Sequence, residues 1–99
     1  MGSMIIATCK ITLQLDGVSS LKEKRRILKS VLSKLRQKFA VSAAEIAYQD
    51  VWQTGQIGLA MVGNDGRFLE SVLAHAVQWL EEARPDAPIR DIETELIHC

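Results

Sequence analysis

Apolar and polar residues alternate from Ile5 to Leu15, with Ile5, Ala7, Cys9, Ile11, Leu13 and Leu15 on one side and Ile6, Thr8, Lys10, Thr12 and Gln14 on the other. A period of two predicts a strand with one face against a core. Asp16-Gly17-Val18-Ser19 breaks the alternation, and Ser20-Leu21-Lys22-Glu23 has the form of a capping box, so a helix starts here. Leu21, Leu28, Val31, Leu32, Leu35 and Phe39 then recur at three- and four-residue steps, which places one apolar stripe on the core. Val41 to Ala47 reads as a second, weaker strand, blurred by Glu45 and its alanine neighbours, and Tyr48 to Gly55 as an aromatic-bearing connection. Gln56 to Val62 is a third strand with Ile57, Leu59 and Met61 on one face, closing a hairpin. Gly63-Asn64-Asp65-Gly66 supplies a turn and an N-cap for a second helix from Asp65 to about Ala83. Its inward residues are Leu69, Val72, Leu73, Ala76, Leu80 and Ala83, and Trp79 is expected in the core beside them. Arg84-Pro85-Asp86-Ala87-Pro88 ends that helix, and Ile89 to His98 forms a last strand in which Ile92, Thr94 and Leu96 oppose Asp91, Glu93, Glu95 and Ile97.

Strand, helix, strand, strand, helix, strand is the order of two βαβ halves, and right-handed crossovers turn it into one arrangement. The fold class expected is α+β and ferredoxin-like: a four-stranded antiparallel sheet in spatial order 4-1-3-2 with both helices on one face. Ninety-nine residues suffice for one domain spanning 4–99. Met1-Gly2-Ser3 precedes a second methionine and reads as a vector-derived remnant. No apolar run approaches the roughly 18 to 20 residues of a membrane span, so no membrane partner and a cytoplasmic location are expected.

Charge changes the picture more than composition does. The formal net charge is zero, yet residues 1–40 carry nine cations against Asp16 and Glu23, a balance of +7, and the remainder carries three against ten carboxylates. Eight of the twelve basic residues lie between Lys22 and Lys38. At about 100° per residue, Lys22, Arg25, Arg26, Lys29 and Arg36 share one flank of the first helix, while Lys34 and Lys38 fall on the other side. Cations at a helix start oppose the macrodipole, and a bound phosphate would relieve them. Ser20, Lys22, Arg25, Arg26, Lys29 and Arg36 are therefore the candidate nucleic-acid or anion-binding residues. Lys24 lies close to the apolar stripe and is expected to serve structure, its stem running along the helix or its ammonium paired with Asp50 or Glu45.

In the connection between the middle strands, Gln49, Asp50, Trp52 and Gln53 are candidate partner contacts: Trp52 offers a surface for a base or a protein pocket, or else caps the end of the core. The outer sheet face carries Ile6, Thr8, Lys10, Thr12, Gln14, Gly58, Ala60 and Val62 and no aromatic residue, which suggests cover by a second copy of the chain. Lys10 is expected to pair with Glu93 or Glu95 across the first and last strands. Cys9 reads as a buried thiol, Cys99 as an exposed one, and His75 and His98 as surface residues. No nucleophile triad, metal-ligand spacing, paired-acid site or Gly-rich nucleotide loop occurs, so no catalytic residue, metal or cofactor is expected.

At Ser20-Leu21-Lys22-Glu23-Lys24-Arg25-Arg26, and again from Ala44-Glu45-Ile46 to Gln49-Asp50-Val51-Trp52-Gln53, the chain resembles the small bacterial YlxP-like proteins, known also as domain of unknown function 503. Val51 stands where leucine is usual in that family. The resemblance implies a ferredoxin-like fold in a cytoplasmic bacterial protein and no established activity; its gene neighbourhood of transcription and ribosome-maturation factors hints at RNA. The expected function is a non-enzymatic accessory factor that binds RNA or a ribosomal particle through the basic helix. The alternative is a homo-oligomeric interaction module that meets an acidic protein surface.

Overall fold

A computed structural model describes residues 3–99, so Met1 and Gly2 of the expected remnant lie outside the described residues. The elements are β1 (Ile5–Gln14), α1 (Leu21–Lys38), β2 (Ser42–Ala47), β3 (Thr54–Gly63), α2 (Gly66–Ala83) and β4 (Ile89–His98). They form one antiparallel sheet in the order β2-β3-β1-β4, the expected arrangement read from its other edge. Alternation dictates this pleat: in β1 the odd residues are buried, and Cys9 faces Leu59 on β3 and Thr94 on β4. Against that face α1 buries Leu28, Val31, Leu32 and Leu35, and α2 buries Leu69, Leu73, Ala76 and Leu80. At about 25 cal/mol per Å² of apolar surface, these leucine and isoleucine side chains supply the main driving force for the fold.

Ala83, expected to face inward, is exposed at the end of α2, and three further details depart from the pattern. Trp79 is only partly buried, because it sits about 100° around α2 from Leu80 and so points toward α1 instead of the sheet. There its ring meets Phe39 edge-on at a centroid distance of 6.4 Å, and the Lys38 ammonium lies 5.8 Å from it. β3 starts at Thr54, ahead of the expected Gln56, since Leu15 N donates to Gln53 O (2.8 Å) and holds the incoming chain beside the end of β1. Third, β4 is an edge strand whose inner face is open at its middle: Ile92 is 41 % exposed, while its neighbour on β1, Ile11, is fully buried, and Ile89 and Leu96 pack against the core toward either end. The helices explain it, since α1 covers β2 and α2 lies over β1 and β3. Among the described residues no helix is long and apolar enough to cross a membrane.

Candidate functional site

The first turn of α1 is held by two reciprocal contacts. Ser20, extended at φ −159° and ψ 157°, accepts from Glu23 N through its hydroxyl (3.1 Å), and the Glu23 carboxylate accepts from both the backbone N and the hydroxyl of Ser19 (3.2 Å each). The box thus closes one residue earlier than its usual form, and Glu23 is spent on the cap. That leaves the cations beside it without a carboxylate. The ion pairs among the described residues are Lys24–Glu45 and Arg84–Asp86, so Lys22, Arg25, Arg26 and Lys29 are neutralised by none.

These same side chains converge. Ser20, Lys22, Glu23, Arg25, Arg26 and Lys29 line one surface concavity of about 500 Å³ along the first two turns of α1. Five of the six residues assigned to anion binding therefore share a single surface. Arg36 does not join them. It lies about 16 Å farther along the helix axis, and its Nε donates to Ala43 O (3.4 Å) at the free edge of β2.

Lys24 decides the architecture of the adjoining connection. It is 1 % exposed, and its ammonium donates to the carbonyls of Tyr48 and Val51, the latter at 2.6 Å. Glu45 Oε2 lies 3.4 Å away and completes three oxygen partners. A buried charge is tolerated only when it is paired and hydrogen-bonded, and this one is. Of the two carboxylates expected as its partner, Glu45 is the one that reaches it; Asp50 is exposed. Tyr48 adopts a left-handed backbone, φ 62°, a conformation that costs a bulky residue about 1–3 kcal/mol. Val51 N donates to Tyr48 O (3.0 Å), which closes the turn around the lysine.

With its backbone pinned from within, the connection turns its side chains outward. Tyr48, Gln49, Asp50, Val51, Trp52 and Gln53 are all exposed, Trp52 at 47 %. Trp52 therefore does not bury itself as a cap on the core. Tyr48 and Val51 carry no sequence signal for their part in this site, because they act through carbonyl oxygens that every residue possesses. The one legible sign was a lysine phased onto an apolar stripe.

The outer sheet face holds a second, mostly apolar depression of about 330 Å³, bordered by Thr8, Lys10, Ala44, Ile46, Gly58 and Ala60. Ile46 lies across Gly58, where an added Cβ would meet its side chain at 3.1 Å. Val62, farther along the same face, is 62 % exposed. Lys10 stands opposite Glu93 in register but forms no ion pair among the described residues; its side chain borders the depression.

Residues 6–94 match the family described as "Protein of unknown function (DUF503)". The chain belongs to the DUF503 family. It is 40 % identical over 62 residues to "Uncharacterized protein YlxP" of Bacillus subtilis (strain 168), an overlap of 63 % of this chain and 67 % of that protein. The fold is shared more widely. The crystal structure of protein SO0527 from Shewanella oneidensis superimposes with a TM-score of 0.55 at 13 % identity, over 100 % of this chain and 93 % of that one. The de novo designed protein Foldit4 does so with a TM-score of 0.54 at 12 % identity, over 95 % of this chain and 96 % of that one. Both motifs that carry the family resemblance meet at Lys24: one supplies the lysine, the other the carbonyls and the carboxylate that hold it.

Proposed function

We propose that this DUF503 protein is a non-enzymatic cytoplasmic accessory factor that binds structured RNA or a ribosomal particle through the basic face of α1. The carrying observation is the convergence of Lys22, Arg25, Arg26 and Lys29, none of them ion-paired among the described residues, on one concavity at the helix start. Phosphate oxygens satisfy such an array through charge-assisted hydrogen bonds, and the first-turn dipole adds to the attraction. The connector held by Lys24 supplies the adjacent contact through Trp52, Gln49, Asp50 and Gln53.

Four phosphates neutralised give a slope of log affinity against log salt of about −3 to −4. Binding of a structured RNA measured across salt tests the reading. Alanine at Arg25, Arg26 and Lys29 together should flatten the slope to about −1. Absent binding at low salt, or a slope the triple variant leaves unchanged, sinks it.

A second reading rests on the apolar depression around Ile46 and the exposed Val62. In that reading two copies pair through their outer sheet faces, leaving the basic helix to meet an acidic protein surface. Light scattering over a concentration series, with Val62→Asp as the interface variant, separates the readings: a dimer that this variant dissociates, without RNA affinity, favours the second.

A further inference from the structure

The free edge of β4 differs from the free edge of β2 in what surrounds it. β2 is six residues long, carries a register shift between Glu45 and Ala47, lies under α1, and has one carbonyl taken by Arg36. Those are the usual ways a sheet edge is closed to further pairing. β4 runs for ten residues and, among the described residues, pairs only with β1, so the alternate amides and carbonyls along its outer side have no described strand beside them. Beneath it, Leu73, Ala74 and Val77 of α2 and Ile92 and Thr94 of β4 line a groove of about 350 Å³. Around the C-terminus of α2 a second concavity of about 550 Å³ borders the strand from Ile89 to Ile92. An added strand would set its inward side chains beside Ile92 and under the uncovered flank of α2, extending the core by one layer of side chains.

The charges say what that strand must be. Asp91, Glu93 and Glu95 alternate along the outer face of β4, opposite Thr12, Lys10 and Thr8 of β1; on the helix side Glu70 stands at the groove and Glu81 at the second concavity. Arg84 is engaged by Asp86 at 2.8 Å, which leaves Arg90 as the cation of the strand. A second β4 is a poor occupant: antiparallel pairing about Glu93 sets Glu93 against its own copy and Asp91 against Glu95, and like charges across strands repel. Nor does another strand of the chain fit, since β1 carries one cation, Lys10, and β2 and β3 carry none.

We propose that the β4 edge is a docking site for an extended segment of a different protein, in which apolar side chains alternate with lysine or arginine. The segment pairs with the backbone of β4. Its apolar residues enter the α2–β4 groove, and its cations oppose Asp91, Glu93 and Glu95, the mode of recognition known as β-augmentation. The proposal is independent of the basic face of α1, which lies on another side of the molecule.

The test uses the full chain, labelled with nitrogen-15, and capped eight-residue peptides that alternate lysine with valine or glutamate with valine. The lysine peptide should give saturable amide shifts confined to Ile89–Glu95 and the facing residues of α2, at least tenfold tighter binding than the glutamate peptide, and loss of binding when its alternate amides are N-methylated. Charge reversal by Glu93→Lys with Glu95→Lys should invert the preference, an outcome that loss of folding cannot mimic. Shifts scattered over all carboxylates, binding that survives N-methylation, or a preference that charge reversal leaves in place would overturn the proposal and leave the acidic strand as a guard against self-pairing.

Discussion

Lys24 is where one residue does most to shape the surface. Its ammonium replaces water with two carbonyls and a carboxylate, and in doing so holds Tyr48 in a left-handed backbone that the residue would not adopt unaided. Removing the charge leaves three oxygens short of a donor. Lys24→Met should therefore cost about 2–4 kcal/mol by urea unfolding, taking a partly buried pair with two carbonyl bonds as the loss. Glu45→Gln keeps the carbonyl contacts and should cost under about half as much. Equal losses in the two variants would mean that the carboxylate, and not the carbonyls, carries the effect. Cys9 adds a pH dependence. Burial pushes its thiol pKa above the ordinary value, and the hydrogen bond from Thr94 offsets this only in part. A folded pKa above the unfolded one means the contribution is whole below the unfolded value and is lost as pH rises through the folded value. Native protein should thus lose stability in the alkaline range, and Cys9→Ala should remove that decline. In a thiol-reagent assay at pH 8, Cys99 should react promptly and Cys9 only after unfolding.

Among the elements, α1 carries two unrelated tasks on one helix. Its stripe of Leu28, Val31, Leu32 and Leu35 builds the core, and the flank through Lys22, Arg25, Arg26 and Lys29 faces solvent. Ser20 separates those tasks from the preceding loop, so Ser20→Ala should destabilise the domain by about 1 kcal/mol in denaturant titration. The same variant should leave the salt slope of RNA binding unchanged, because the hydroxyl is engaged by Glu23 and carries no charge. Helical phasing predicted the basic flank from the sequence because the angle between residues on one helix is a local property. Arg36 shows the limit of that reasoning: it shares the angle but sits three turns away, beside an edge strand whose position depends on the whole sheet. β4 shows it again. Alternation identified Ile92 as inward, and it is inward, yet exposed, because no pattern within the strand reveals how far α2 reaches across the sheet.

At the scale of the molecule, the segregation of charge is carried into space as a basic helix face and an acidic edge strand, on a body measuring 52 × 24 × 21 Å with a radius of gyration of 14.0 Å. Opposite charge at separate places favours contacts that salt weakens. If copies pair through the outer sheet face they stack along a short axis, and small-angle scattering should give a radius of gyration of about 17 Å, against about 30 Å for an end-to-end pair. A dimer near the larger value would count against the sheet-face interface.

Alternation, helical spacing, two caps and the turn residues determined the six elements, their inward faces and, through right-handed crossovers, the strand order, because each of these follows from interactions within a few residues or from chain chirality. They also determined that the basic residues gather on one flank. Only the tertiary structure decided which oxygens meet Lys24, that Trp79 turns to the helix seam, that Trp52 stays outside, and that β4 keeps an open groove. Those outcomes depend on where distant elements come to rest against one another, and the first of them acts through two backbone carbonyls, whose presence is the same at every position in a sequence.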